Sequence, residues 1–250
     1  MIYAIDVDGV IVDSSNEIII DSLNAYKTLF PKNNIIRKKL NLKNYKEFFK
    51  KNNKLIKRFK ELHLFANCAE EMVFNCYIID NNKIIVSENE YWQELKKISK
   101  SRLKRWHKEI YTQRYIFQKQ KGWRETVKPF KEMIKFIKNN LDKSIILSNK
   151  DKPTIKKILD YYKIKIKDEN LFTNELTDDK NVKLRLIKTQ YNVKYKDILF
   201  IDDNLKNLKD VLKLNVRPHL AVWGFNNKEQ QKEAEKLGIK LLELKDLKNI

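Results

Sequence analysis

Residues 2–14 read Ile-Tyr-Ala-Ile-Asp-Val-Asp-Gly-Val-Ile-Val-Asp-Ser. The apolar run Ile2, Tyr3, Ala4, Ile5 ends on Asp6, the pattern of a buried parallel strand that delivers a carboxylate at its C-terminal end. Asp8 follows two residues later, and alternation along an extended chain aims both carboxylates to one side. Like charges so close repel, which raises one pKa unless a cation lies between them. Carboxylate oxygens suit Mg²⁺, a hard ion that binds through one or two carboxylates and keeps several waters. Gly9 allows the backbone to turn sharply beside such a ligand. A plain turn is the other reading of Asp6-Val7-Asp8-Gly9. A calcium loop is excluded, because Val10 and Ile11 stand at its fifth and sixth positions even though Glu17 stands at its twelfth.

Working outward, two further apolar runs end on polar residues. Ser144-Ile145-Ile146-Leu147 leads into Ser148-Asn149-Lys150, and Ile198-Leu199-Phe200-Ile201 leads into Asp202-Asp203. Helical patterns near 130–140, 153–163, 180–191, 205–214 and 227–237 alternate with these runs and with shorter apolar ones at 171–173, 219–223 and 240–244. Such alternation predicts an α/β, Rossmann-like three-layer core with a mainly parallel sheet and right-handed crossovers. Sites in open α/β sheets lie at the carboxyl ends of the strands. One apolar run ending in Asp could be a helix N-cap, but three polar strand ends on one edge build a site.

Residues 15–124 follow a different pattern, helical, charged and aromatic, which predicts a helical domain inserted into a core made of residues 1–14 and 125–250. Ile19, Leu23, Tyr26 and Leu29/Phe30 form one apolar helix face. Over 88–118, Trp92, Leu95, Ile98, Leu103, Trp106, Ile110 and Tyr115 recur at roughly helical spacing and read as packing residues. Residues 76–87 fit either a small hairpin around Asn81-Asn82 or an irregular loop.

The chain of 250 residues carries a net charge of +20 from 53 basic and 33 acidic side chains. Of the basic residues 45 are Lys, and Gly and Pro are scarce, a bias that codon usage in an AT-rich genome would produce without any nucleic-acid partner. Residues 15–124 hold 25 basic and 11 acidic side chains, a positive field able to steer anionic ligands. The lysines are scattered among acidic residues with no nucleic-acid motif, so no nucleic-acid partner is expected. No segment approaches the roughly 18 apolar residues of a membrane span, and no leader pattern precedes the first strand, so a cytoplasmic location is expected. Cys68 and Cys76 make neither a disulfide framework nor a zinc cluster. His63, His107 and His219 lack metal-ligand spacing and read as structural. Oligomeric state, monomer or dimer, leaves no trace in the sequence.

The motif from Asp6 to Ser14, DVDGVIVDS, resembles the first motif of the haloacid dehalogenase-like hydrolase superfamily, DxDGxxxDS. Ser148 at the end of its strand matches the second motif, Lys180 the third, and Asp202-Asp203 the acidic fourth. Lys180 opens a helix 23 residues before Asp203, and Lys183 is its rival for that role. The tail Ala221-Val222-Trp223-Gly224-Phe225 is similar to the phosphoglycolate phosphatase and β-phosphoglucomutase-like branch, in which a helical cap is inserted between the first and second motifs.

The resemblance implies a Mg²⁺-dependent phosphatase acting on a small phosphorylated metabolite. It casts Asp6 as nucleophile and Asp8 as acid and base. Asp6, the backbone carbonyl of Asp8 and Asp203 would bind the metal, with Asp202 a direct or water-mediated helper. Ser148, with the neighbouring Asn149, and Lys180 would contact the phosphoryl group, and Arg114 in the insert is a candidate substrate contact. A carboxylate at Asp8 argues against dehalogenation, whose halide leaving group needs no proton. A phosphomutase is the alternative, and a phosphatase of nucleic-acid ends a more distant one.

Overall fold

The computed structural model describes all residues, Met1–Ile250. By its internal contacts the chain divides into two units, one made of Met1–Asp13 with Lys128–Ile250 and the other of Ser14–Val127. The first contains β1 (Ile2–Ile5) and β2 (Val12–Asp13), after which the chain leaves it. The second contains six helices, α1 (Ser15–Leu29), α2 (Tyr45–Lys51), α3 (Asn53–His63), α4 (Ala69–Asp80), α5 (Glu88–Lys96) and α6 (Lys100–Gln118). The chain then continues through β3 (Lys128–Pro129), α7 (Lys131–Asn139), β4 (Ser144–Leu147), α8 (Lys152–Tyr161) and β5 (Leu171–Phe172). It ends with α9 (Lys180–Gln190), β6 (Ile198–Asp202), α10 (Leu205–Val211), β7 (Arg217–Ala221), α11 (Lys228–Lys236) and β8 (Lys240–Leu242).

The strands of the first unit form one six-stranded sheet in the order β5-β4-β1-β6-β7-β8. Every neighbouring pair is parallel. Parallel strands buried on both faces need continuous apolar sequence, and β1, β4 and β6 supply it. Alternate residues then sort to the two faces. Ile2, Ala4, Ile145, Leu147, Ile198 and Phe200 share a core with Leu184 and Ile187 of α9 and with Leu205, Leu208 and Val211 of α10. Tyr3 points the other way and meets Phe136 of α7 edge-on, ring centroids 4.9 Å apart. A two-stranded antiparallel pair, β2 with β3, ties the point where the chain leaves this unit to the point where it returns (Asp13 opposite Lys128). Both strands are too short to show periodicity in the sequence.

The helical unit departs from two sequence expectations. Residues 76–80 belong to α4, so no hairpin forms around Asn81-Asn82. Asn82 instead takes a left-handed conformation (φ 52°) and the Lys83 N–H returns to the Ile78 carbonyl at 3.0 Å, a left-handed cap on α4. The 88–118 pattern is broken into α5 and α6, because Ser99 is extended and its hydroxyl accepts from the Arg102 N–H as an N-cap. Tyr91, Trp106 and Ile110 are buried as packing residues, whereas Tyr115 is exposed.

The helical unit also buries charge. Arg114 donates from Nε to Asp21 Oδ2 at 3.2 Å, with the two side chains 6% and 0% exposed. The guanidinium also lies 4.8 Å from the Tyr111 ring centre. Gln118 bonds Glu17, itself buried, at 3.3 Å. Removing one partner of a buried pair strands the other charge, at a cost of about 3–5 kcal/mol. Arg114→Met should therefore lower the urea-unfolding stability of this unit by that order, and the double variant Asp21→Leu/Arg114→Met should recover most of it. A loss no larger than 0.5 kcal/mol for the single variant would contradict the pairing.

Candidate active site

The parallel register of β1 and β6 sets Ile5 opposite Ile201, and the Asp6 N–H continues the ladder to the Ile201 carbonyl at 3.0 Å. Asp6, just past β1, Asp202, the last residue of β6, and Asp203 beyond it therefore leave neighbouring strands at one edge. One carboxylate oxygen from each lies within 4.8 Å of the others, and all three residues are buried. β4, on the other side of β1, brings Ser148 to the same edge, where its N–H bonds the Phe172 carbonyl at 3.0 Å.

Lys180 is the first residue of α9, behind the N-cap Asp179. Its ammonium donates to Asp6 Oδ1 at 2.7 Å and to the Leu147 carbonyl at 2.8 Å, and lies 3.3 Å from Asp202 Oδ2. Burial pulls the pKa of this lysine down, but Asp6 and Asp202 more than offset that and hold it above the usual value. Lys183, nearly one turn on, is fully buried and donates to the Ser148 carbonyl at 2.5 Å and to Asn149 Oδ1 at 2.8 Å. The geometry thus separates the two lysines: Lys180 meets the carboxylates, and Lys183 holds the loop after β4.

Asp202 accepts from the Asn204 N–H and from Asn207 Nδ2, each at 2.9 Å. Burial, with the Asp6 charge in support, still pushes its pKa up to about 6 against the pull of Lys180. Asp203 is pushed well above the carboxylate range by burial and then by Asp202 and Asp6. The Phe225 N–H on Asp203 Oδ2, at 2.5 Å, opposes that push. Two glycines make room for this carboxylate. A Cβ at Gly9 (φ 75°) would lie 1.9 Å from Asp203 Oδ2. A Cβ at Gly224 would lie 2.3 Å from Asp203 Cβ and 2.5 Å from the Gly9 carbonyl oxygen. Neither position admits a side chain unless Asp203 moves.

Asp8 stands apart from the three-carboxylate cluster. Both its oxygens accept from Lys150 Nζ, at 3.1 and 3.3 Å. Sequence reading does not single out Lys150, which is one of 45 lysines. Gly224 carried a usable signal, since it is one of only four glycines and follows a strand. Arg114 belongs to the helical unit, where its ion pair with Asp21 accounts for its burial.

The donor set fits a hard divalent cation. It is all oxygen, it converges, and two of its carboxylates are driven towards protonation even with Lys180 beside the cluster. Asp6, Asp202 and Asp203 would hold Mg²⁺.

The upward shifts fix a sign. Metal-free folded protein binds protons more tightly than the unfolded chain, so these groups favour the fold below about pH 4, and the Asp202 contribution is lost as pH rises through about 6. The rise in melting temperature on adding Mg²⁺ to chelator-treated protein should be larger at pH 7.5 than at pH 5. An equal rise at both would contradict the shifts. Gly224→Ala should weaken Mg²⁺ binding by about 10–100-fold in calorimetry, with the circular dichroism spectrum unchanged.

A family model for haloacid dehalogenase-like hydrolases matches residues 1–209. A search of curated protein sequences finds no significant match. Among solved structures, a candidate phosphoglycolate phosphatase of Lactobacillus delbrueckii subsp. bulgaricus superposes with a TM-score of 0.68 at 12% identity, over 98% of this chain and 95% of that one. A predicted phosphoglycolate phosphatase of Haemophilus somnus gives 0.62 at 10% identity, over 99% and 96%. The β-phosphoglucomutase of Clostridium difficile gives 0.53 at 14%, over 97% and 91%. At these identities the likeness is one of fold. The ordered set of Asp6, Ser148, Lys180 and Asp203, the parallel sheet that gathers them and the match over most of the chain agree: the protein belongs to the haloacid dehalogenase-like hydrolase family.

Proposed function

We propose that the protein is a Mg²⁺-dependent phosphatase that hydrolyses a phosphate monoester of a small metabolite through an aspartyl-phosphate on Asp6. The carrying observation is the separate pairing of the carboxylates. Asp6 sits with Asp202 and Asp203 against Lys180, while the Asp8 side chain, two residues on, lies outside that group and is paired separately. A nucleophile and a distinct acid are what ester hydrolysis requires.

In the first step an Asp6 oxygen attacks phosphorus, the bond from phosphorus to the ester oxygen breaks, and that oxygen takes a proton from Asp8. In the second, Asp8 takes a proton from water, the resulting hydroxide oxygen bonds to phosphorus, and phosphate leaves with Asp6 regenerated. Ser148 and the N–H groups of its loop hold the non-bridging oxygens, and Lys180 offsets charge on the phosphoryl group and on Asp6. Asp6, Asp203, Asp202 and the Asp8 carbonyl would hold Mg²⁺, which would supply positive charge to offset the repulsion between an anionic nucleophile and an anionic ester.

The helical unit begins at Ser14, six residues after Asp8, and we assign it the choice of substrate. Its excess of basic over acidic side chains favours anionic small molecules over neutral ones. Phosphate release from a panel of sugar phosphates, phosphorylated acids and phosphorylated amino alcohols tests the reading. Activity should require Mg²⁺, vanish with chelator, and fall at least about 10³-fold in Asp6→Asn. Activity that survives either treatment would overturn the mechanism, and an isomeric sugar phosphate in place of free phosphate would reassign the protein as a mutase.

A further inference from the structure

Lys150 is a buried cation that the proposed mechanism does not use. Its side chain has no exposed surface, yet its ammonium touches both oxygens of Asp8. The Asp8 side chain is 23% exposed, against 11% for Asp6 and 0% for Asp202. It leaves the backbone in the turn before Gly9, beyond the end of β1. A carboxylate on such a turn can rotate about two side-chain bonds, and a proton donor is effective only when aimed at the atom it serves. Lys150 supplies the anchor from a different strand end. Its own N–H bonds Ser148 Oγ at 3.3 Å, so it is tied to the end of β4. One ammonium within hydrogen-bond distance of both oxygens fixes the direction of the carboxylate plane.

We propose that Lys150 is the positioning residue for Asp8. It holds the Asp8 carboxyl in the orientation from which it gives its proton to the departing ester oxygen, and couples that orientation to the phosphate-binding loop that begins at Ser148. Lys150 itself neither gains nor loses a proton in the step. The phosphorus–oxygen bond of the ester breaks as the bond from Asp6 to phosphorus forms, and the proton that neutralises the leaving alkoxide comes from Asp8. The proposal rests on the reading of Asp8 as the acid, and it locates part of the site's catalytic power in a residue that acts through the Asp8 carboxylate.

The test exploits leaving groups. p-Nitrophenolate departs without protonation, whereas an alkoxide needs the proton. Wild-type protein, Lys150→Met and Lys150→Arg are assayed with p-nitrophenyl phosphate and with an alkyl phosphate that the wild type hydrolyses, all with saturating Mg²⁺. Lys150→Met should lose about 30-fold or more in kcat/KM on the alkyl ester and less than threefold on the aryl ester; kcat/KM reports the steps up to departure of the leaving group, whereas kcat also contains the Asp8-assisted hydrolysis common to both esters. Lys150→Arg should restore most of the alkyl activity. The ratio of the two rates in one sample does not depend on the fraction of protein that is folded, so a destabilised variant still gives an answer. Equal losses of kcat/KM on both esters would overturn the proposal and make Lys150 a structural or substrate-contacting residue. Asp8→Asn is the control that separates the two layers of inference. If it too shows no discrimination between the esters, the assignment of Asp8 as acid fails and the role of Lys150 falls with it. Discrimination in Asp8→Asn but not in Lys150→Met overturns the Lys150 proposal alone.

Discussion

Repulsion among the carboxylates gathered at one sheet edge is the constraint on which the rest of the core depends. Two unit charges 4.8 Å apart repel by about 3.5 kcal/mol at an effective dielectric of about 20, and the three oxygens of Asp6, Asp202 and Asp203 lie within that distance of one another. Three such pairs come to about 10 kcal/mol, comparable with the whole folding stability of a typical domain. The site therefore cannot hold three naked charges. Lys180 offsets part of the repulsion at Asp6 and Asp202, and no lysine makes an ion pair with Asp203. Asp203 accordingly shows the stronger upward push. A divalent cation held by the three oxygens would offset the remainder.

The sheet is what makes the constraint unavoidable. Parallel pairing of β1 with β6 sets Ile5 opposite Ile201, so Asp6 and Asp202 follow at matching positions on adjacent strands, their backbones held side by side by that ladder. Asp203 is held equally firmly. It lies between the backbones at Gly9 and Gly224 and is bonded by the Phe225 N–H. The loop after β7 thus contributes to the site through space it leaves open and through a backbone donor, neither of which shows as a reactive side chain. Lys183 works the same way from the other side, anchoring the loop after β4 through the Ser148 carbonyl.

The helical unit follows a different electrostatic logic. Its surplus of lysines is largely solvated, while its buried charge is paired internally, as in Asp21 with Arg114. A buried pair of this kind contributes more to specifying how α1 and α6 meet than to net stability. Arg114, a candidate substrate contact from the sequence, owes its burial to this pair. Between α4 and α5 the unit leaves Ile84 and Val86 exposed, in the segment that the sequence left open between a hairpin and an irregular loop. The continuous apolar run into Ile78 favoured extension of the helix, and a left-handed Asn82 closed it.

What the sequence by itself determined is the set of strand ends and the order in which they come. Apolar runs stopping at Asp6, Ser148 and Asp202-Asp203 are legible because a strand buried on both faces must be apolar throughout, so the first polar residue marks its end. The helix that Lys180 opens was legible for a related reason, its apolar spacing. Only the tertiary structure decided which lysine meets which carboxylate. Lys150, Lys180 and Lys183 are chemically alike and share the sequence with 42 others. They are told apart by the direction each leaves its backbone once β4 and α9 are packed beside β1. The same holds for Gly224, whose requirement exists only because Asp203 of another strand fills the space a side chain would take. Local sequence encodes the period and termination of an element, whereas the partner of a charge is set by contacts between residues up to 174 positions apart.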